Sequence, residues 1–239
     1  MVESIEKKKE KKNPPLLYNL AELQNDCSRR FKISPDETLR IVQELYEKKL
    51  VTYPRTDARV LSTAVAKEIT RNLNGLSKYE MAAPYLQDIL GFGSYKNLAK
   101  TRYVNDKQIT DHYAIIPTGQ GLPALKSVSA TAHKVYDLIV RRFLSIFYPA
   151  AVYQKVSIVS KMRGESFFSS FKVLAEEGYL KVAGVPQSKD QAPDTDLFDV
   201  IKTLKKGAVL PVRSLDIKEG ETSQVGGQAV LGRQNISPT

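Results

Sequence analysis

Residues 50–62 read LVTYPRTDARVLS, and the tyrosine in this stretch sets the question for the whole chain. Pro54 disfavours α geometry in the residue before it, so Tyr53 is expected on extended backbone. Arg55 lies two residues on, and along a strand it would share a face with Tyr53. A phenol has a reference pKa of about 10 and is a poor nucleophile at neutral pH. It becomes a useful one only where cations stabilise the phenolate and the group it attacks. Read alone, the segment fits a packed strand aromatic equally well, with Arg55 and Asp57 paired across a turn.

The flanking sequence reads as helices. Upstream, Ser34-Pro35-Asp36-Glu37 is a helix start: Ser34 can cap, Pro35 suits the first helical position and Glu37 completes a capping box. Leu39, Val42, Leu45 and Tyr46 then form one apolar stripe, expected in the core. An earlier helix is expected from Tyr18, with Leu20, Leu23 and Cys27 on one face and Arg29 and Arg30 near its end. Downstream, a third helix is expected from Ser62 to Asn74-Gly75, followed by loops and short helices over 77–110. Ser129 can cap a long helix through Phe147, closed by Tyr148-Pro149. His133, in the first turns of that helix, has no chemical companion and reads as structural. Two helices leading into an extended segment resemble a winged-helix arrangement.

Near residue 150 the pattern changes to strands. Residues 151–161 (AVYQKVSIVSK) and 165–174 (ESFFSSFKVL) alternate, with Met162-Arg163-Gly164 as the turn. The polar stretch 186–197 reads as a loop and 208–218 as a further strand. The opening VESIEKKKEKK reads as an edge strand able to pair with these later strands.

Composition bounds the function. The 239 residues carry 36 Lys and Arg against 26 Asp and Glu, a net charge of +10 that favours a polyanionic partner, most often nucleic acid or an anionic membrane surface. No apolar run approaches the roughly 18–20 residues of a membrane span, and the N-terminus lacks a signal-peptide core, so no membrane is expected. With one cysteine, Cys27, and two histidines, no disulfide framework or metal-ligand spacing exists. The chain is expected to be reduced, cytoplasmic and metal-free in its own right.

Four blocks then carry a family resemblance. LVTYPRTDARVLS at 50–62 resembles the active-site segment of type IA DNA topoisomerases, above all the topoisomerase III branch, whose pattern is Thr-Tyr, one variable residue, then Arg-Thr/Ser-Asp. DHYAIIPTG at 111–119 is similar to that family's His-x-Ala-Ile-x-Pro-Thr motif. LYNLAELQNDCSRRF at 17–31 resembles the helix that opens the family's helical domain, and YDLIVRRFLSIFYP at 136–149 the helix that closes it. The blocks stand in the family's order over about 130 residues.

The resemblance implies an α+β fold in which a mainly helical, winged-helix-like (CAP-like) domain, residues 16–150, is inserted into an antiparallel β arch domain. Residues 1–15 would supply the first arch strand and 151–222 the remainder, with 223–239 an unassigned tail. It also implies a mechanism. Tyr53 would attack a phosphodiester and form a transient 5′-phosphotyrosine, a strand would pass, and religation would need no ATP. Arg55 would bring its fork of donors to the developing phosphoryl charge. His112 would position the scissile phosphate, and Thr52 is a candidate DNA contact.

Nothing in residues 1–49 resembles the acidic Toprim domain that holds Mg²⁺ in this family, and 223–239 depart from the family's pattern. The resemblance therefore implies a central fragment, with Mg²⁺ held elsewhere in the full-length enzyme, none in this chain, and no activity in isolation. Its implied partners are DNA, preferably single-stranded, and the rest of the parent enzyme. Its implied setting is a monomeric, nucleoid-associated bacterial protein. The alternative is a non-enzymatic winged-helix protein that reads duplex DNA.

Overall fold

The computed structural model describes residues 1–184, 203–209 and 211. These form two compact units, one of residues 13–150 with 178–184, the other of Met1–Lys12 and Ala151–Glu177 with the described residues beyond 202.

The second unit is a three-stranded antiparallel sheet of β1 (Val2–Lys12), β2 (Ala151–Met162) and β3 (Glu165–Glu176), in that order. The lysine-rich opening segment is an edge strand, its Lys12 opposite Ala151 and its Val2 opposite Ser160. The β2–β3 hairpin turns where expected. Arg163 and Gly164 have φ of 52° and 92°, the paired positive values whose twist matches flanking strands. Val2, Val156 and Ile158 are buried on one face, with Ile5, Phe171 and Val173 packed against them. Residues 208, 209 and 211 form no strand; the rest of the expected strand over 208–218, the loop over 186–197 and the tail from 223 lie outside the described residues.

The larger unit is helical, and its caps are local chemistry. Asn19 accepts from Glu22 N–H and opens α1 (Leu20–Phe31). Ser34 accepts from Glu37 N–H at 3.1 Å and opens α2 (Pro35–Glu47), with Pro35 in its first turn. The helix expected from Ser62 is two: α3 (Thr63–Lys67) and α4 (Ile69–Leu76). Glu68, at φ −102° and ψ 7°, breaks the helix, and the new phase buries Ile69, Leu73 and Leu76. The helix ends at Leu76, near Asn74-Gly75 as expected, but Gly75 lies inside α4 rather than past its end. The glycine is there because a Cβ at this position would lie 2.3 Å from the carbonyl oxygen of Gly119, so only glycine lets the two backbones meet.

Helix α5 (Ala83–Phe92) and short 3₁₀ turns fill the region to 128, and α6 (Ala130–Ser145) follows its Ser129 cap. The last two residues expected in α6 form tighter turns instead, Phe147 N–H donating to Leu144 O and Tyr148 N–H to Ser145 O. The chain returns to this unit in α7 (Leu180–Ala183).

One buried polar cluster ties α1 to α6. Asp26, 4% exposed, accepts from the Tyr18 hydroxyl, from Arg29 and from Arg142. Arg142 also donates to Leu16 O at 2.9 Å, and its guanidinium lies 4.0 Å from the centre of the Tyr18 ring. Removing one partner of a buried ion pair costs about 3–5 kcal/mol, because the other charge stays buried. Arg142→Met should therefore lower stability by about 3 kcal/mol, the low end because Arg29 still reaches Asp26. The check is a lower midpoint of urea unfolding at constant slope; a loss below about 1 kcal/mol would show that the cluster contributes little.

Buried phenols set a second limit. Burial pushes Tyr79 and Tyr103 up to about 12, and it drives Tyr18, Tyr136 and Tyr148 upward as well. A folded-state value above the unfolded value of about 10 contributes stability that is complete below pH 10 and lost as pH rises from 10 through 12. Unfolding above pH 10, with tyrosinate absorbance rising in step with loss of helix circular dichroism, is the expected result. Tyrosinate appearing gradually while the helices persist would contradict it.

Candidate active site

Two segments far apart in sequence are stitched together beside α2. Thr52 N–H donates to Ile116 O at 3.0 Å, Thr118 N–H donates to Leu50 O at 3.0 Å, and Val51 bridges Pro117. The Thr52 hydroxyl closes the join, donating to Ala114 O at 3.0 Å and accepting from Ile116 N–H at 2.9 Å. The same short segment bonds to two further parts of the unit, through Ala114 N–H to Val60 O and Ile115 N–H to Tyr18 O. Leu50, Val51, Ala114, Ile115 and Ile116 are all buried, so these backbone groups have no water to turn to.

The join leaves Tyr53 and His112 at its open end. Their ring centroids are 4.3 Å apart, tilted by 40°. The Thr56 hydroxyl donates to His112 O at 2.9 Å and fixes the histidine's backbone. His112 is exposed and Tyr53 half-exposed. They share a cleft of about 480 Å³ with Tyr46, Glu47, Lys49, Val51, Thr52, Tyr113, Thr118 and Gln120. Burial raises the Tyr113 phenol above its ordinary range, so it stays neutral at pH 7.

Arg55 is placed differently from the strand expectation. Thr56 N–H donates to Pro54 O at 3.0 Å, closing a three-residue turn over Arg55. Strand alternation therefore does not govern its direction. Arg55 is exposed, does not line the cleft and makes no ion pair with Asp57 among the described residues. Thr52 lines the cleft, but its hydroxyl is engaged by the backbone on both sides.

Tyr46 was expected in the core stripe of α2. Val42 and Leu45 of that stripe are buried, together with Thr38 and Ile41, and Leu39 is half-buried, while Tyr46 is 38% exposed and meets the Tyr53 ring edge-on, centroids 5.5 Å apart. The end of α2 explains how. Lys49 N–H donates to Tyr46 O and Leu50 N–H to Leu45 O, at 2.8 and 2.9 Å, with Lys49 left-handed at φ 62°. This paired bonding past a helix end reverses the chain at once. It brings residues 51–53 back beside the side chain they have just left. Sequence periodicity gave no signal for this, because a tyrosine one position beyond Leu45 counts as apolar in either role.

These motifs define a nucleic-acid enzyme family by descent as well as by geometry. The family described as DNA topoisomerase matches residues 1–226. The chain is 38% identical over 225 residues to DNA topoisomerase 3 of Bacillus subtilis strain 168, covering 93% of this chain and 30% of that protein. It is 36% identical over 223 residues to the topoisomerase 3 of Bacillus licheniformis, with the same coverage. The structure of full-length topoisomerase I from Thermotoga maritima matches 80% of this chain and 30% of that one at TM-score 0.54 and 22% identity, a likeness of fold. The chain belongs to the DNA topoisomerase family, in agreement with its type IA motifs. It spans about 30% of the length of the curated relatives it matches, and the match favours this reading over the non-enzymatic winged-helix alternative.

Thr52→Val keeps the shape and removes the hydroxyl, leaving Ile116 N–H and Ala114 O unpaired in a dry interior. It should cost about 1–3 kcal/mol and abolish hydrogen-exchange protection at the Ile116 amide, whereas Thr52→Ser should keep both. Unchanged protection in the valine variant would remove Thr52 from this role.

Proposed function

We propose that this chain is the nucleophile-bearing part of a type IA DNA topoisomerase, cutting one DNA strand through Tyr53. The contact between the Tyr53 and His112 rings in an open cleft carries the reading, because it joins the two family motifs at one place. The Tyr53 phenol oxygen attacks the phosphorus, the 3′ oxygen of the neighbouring nucleotide leaves, and the phenolic proton is lost as that oxygen gains one. The product is a 5′-phosphotyrosine and a free 3′ hydroxyl; the reverse attack reseals the strand without ATP. His112 positions the phosphate from the cleft. Arg55, exposed on its turn and without a carboxylate partner among the described residues, offers paired donors to phosphoryl oxygens.

Single-stranded DNA is the favoured substrate. A cleft with Tyr53, Tyr113 and His112 on its walls suits unpaired bases, which stack on aromatic rings, and Lys49 adds a cation for the backbone. Relaxation or decatenation by strand passage, a monomeric state and association with the bacterial nucleoid complete the proposal. Residues 16–150 would form the helical insertion within a β arch built from 1–15 and 151–222. Among the described residues no helix is long and apolar enough to cross a membrane.

The family's Mg²⁺ does not fit the residues present here. Glu47 is the only carboxylate lining the cleft, and among the described residues no three His, Cys, Asp or Glu side chains converge. A hard divalent cation takes several oxygen ligands, so no step is assigned to a metal held by this chain.

The test uses a polypeptide of the relatives' full length that carries these residues. Tyr53→Phe should abolish the covalent adduct with a 3′-labelled single-stranded oligonucleotide, while binding stays within about twofold of the parent. An adduct that persists at parental yield in the phenylalanine variant would remove Tyr53 as the nucleophile.

A further inference from the structure

The ring of Tyr53 stands at a cleft mouth, where a surface tyrosine ordinarily samples several rotamers. Its hydroxyl must meet a phosphorus in line with the leaving oxygen, and displacement by about 1 Å can cost a hundredfold in rate. Backbone bonds fix the Cα of Tyr53 but not its ring. Among the described residues, two other rings pack against it. His112 lies at 4.3 Å with a 40° tilt, and Tyr46 lies at 5.5 Å with an 82° interplanar angle. The second is the edge-to-face geometry that aromatic quadrupoles favour.

We propose that Tyr46 is a positioning residue for strand cleavage, holding the Tyr53 ring through its edge-to-face contact so that the phenol oxygen is aimed at the phosphodiester. This rests on Tyr53 being the nucleophile. Tyr46 is well suited to the role, since it projects from a regular helix whose other face is anchored in the core by Ile41, Val42 and Leu45. The reversal at Lys49 fixes the separation of the two rings along a path of seven residues, with no loop between them long enough to drift. The 118–120 segment buttresses the same reversal through the bond from Thr118 N–H to Leu50 O. A ring retained on the solvent side of α2, where a charged residue would serve solubility equally, is explained by this contact and by no core packing.

Three variants in a chain of the relatives' full length test it: Tyr46→Leu, which removes the ring but favours helix more than tyrosine does, Tyr46→Phe, and Tyr53→Phe. Tyr46→Leu should slow single-turnover cleavage of a single-stranded oligonucleotide about tenfold. Its dissociation constant for that oligonucleotide should stay within about twofold, and its thermal midpoint should be unchanged. Tyr46→Phe keeps the ring and should cleave at the parental rate. Parental cleavage by Tyr46→Leu overturns the proposal, as does a slowed rate that is matched by weaker DNA binding or by a lower midpoint. Cleavage surviving in Tyr53→Phe would instead overturn the nucleophile assignment itself, so the two failures are told apart.

Discussion

The join between residues 50–52 and 114–118 is the constraint on which the site depends. It is short, yet its backbone groups are buried and each finds its partner within the unit. Thr52 contributes more than its length predicts, because one hydroxyl serves as donor and acceptor to the facing strand. The apolar run after His112 is buried where Val60, Tyr18 and Thr52 meet it from three directions. Tyr53 and His112 leave this join side by side, from the same open end.

The helix starts were legible in the sequence because capping is a local matter. Ser34, Ser62 and Ser129 each receive the N–H three residues on, as short polar side chains ahead of an apolar run do, whereas Asn19, which caps the first helix in the same way, was not singled out. The hairpin and the pairing of the opening strand were legible from alternation and turn residues. The site was legible as motif but not as geometry. Nothing in VTYPRTD signals that the chain turns at Pro54–Thr56 and takes Arg55 off the strand pattern. The use of Gly75 was hidden for a similar reason. Gly75 answers to a partner distant in sequence, Gly119, and propensity contains no information about it.

Net charge is a poor map of where the free cations lie. Arg142 is a buried structural cation, held by Asp26, Tyr18 and Leu16, and Arg141 is taken up by Asp137 and Val182. Lys49, by contrast, is exposed and lines the cleft, and Arg55 is exposed on its turn. Spacing could not sort one kind of arginine from the other; burial does so directly.

The sheet also has a history in time. Residues 2–12 pair with residues 151–160, so the opening strand leaves the ribosome roughly 140 residues before its neighbour exists. At about 5–20 residues per second it waits on the order of 10 s, an unpaired strand in a crowded cell. Such an orphan is a template for illegitimate pairing, and a run of lysines is a known deterrent. The KKKEKK run then serves the protein before it is folded, keeping the first strand single until the partner it was made for is synthesised.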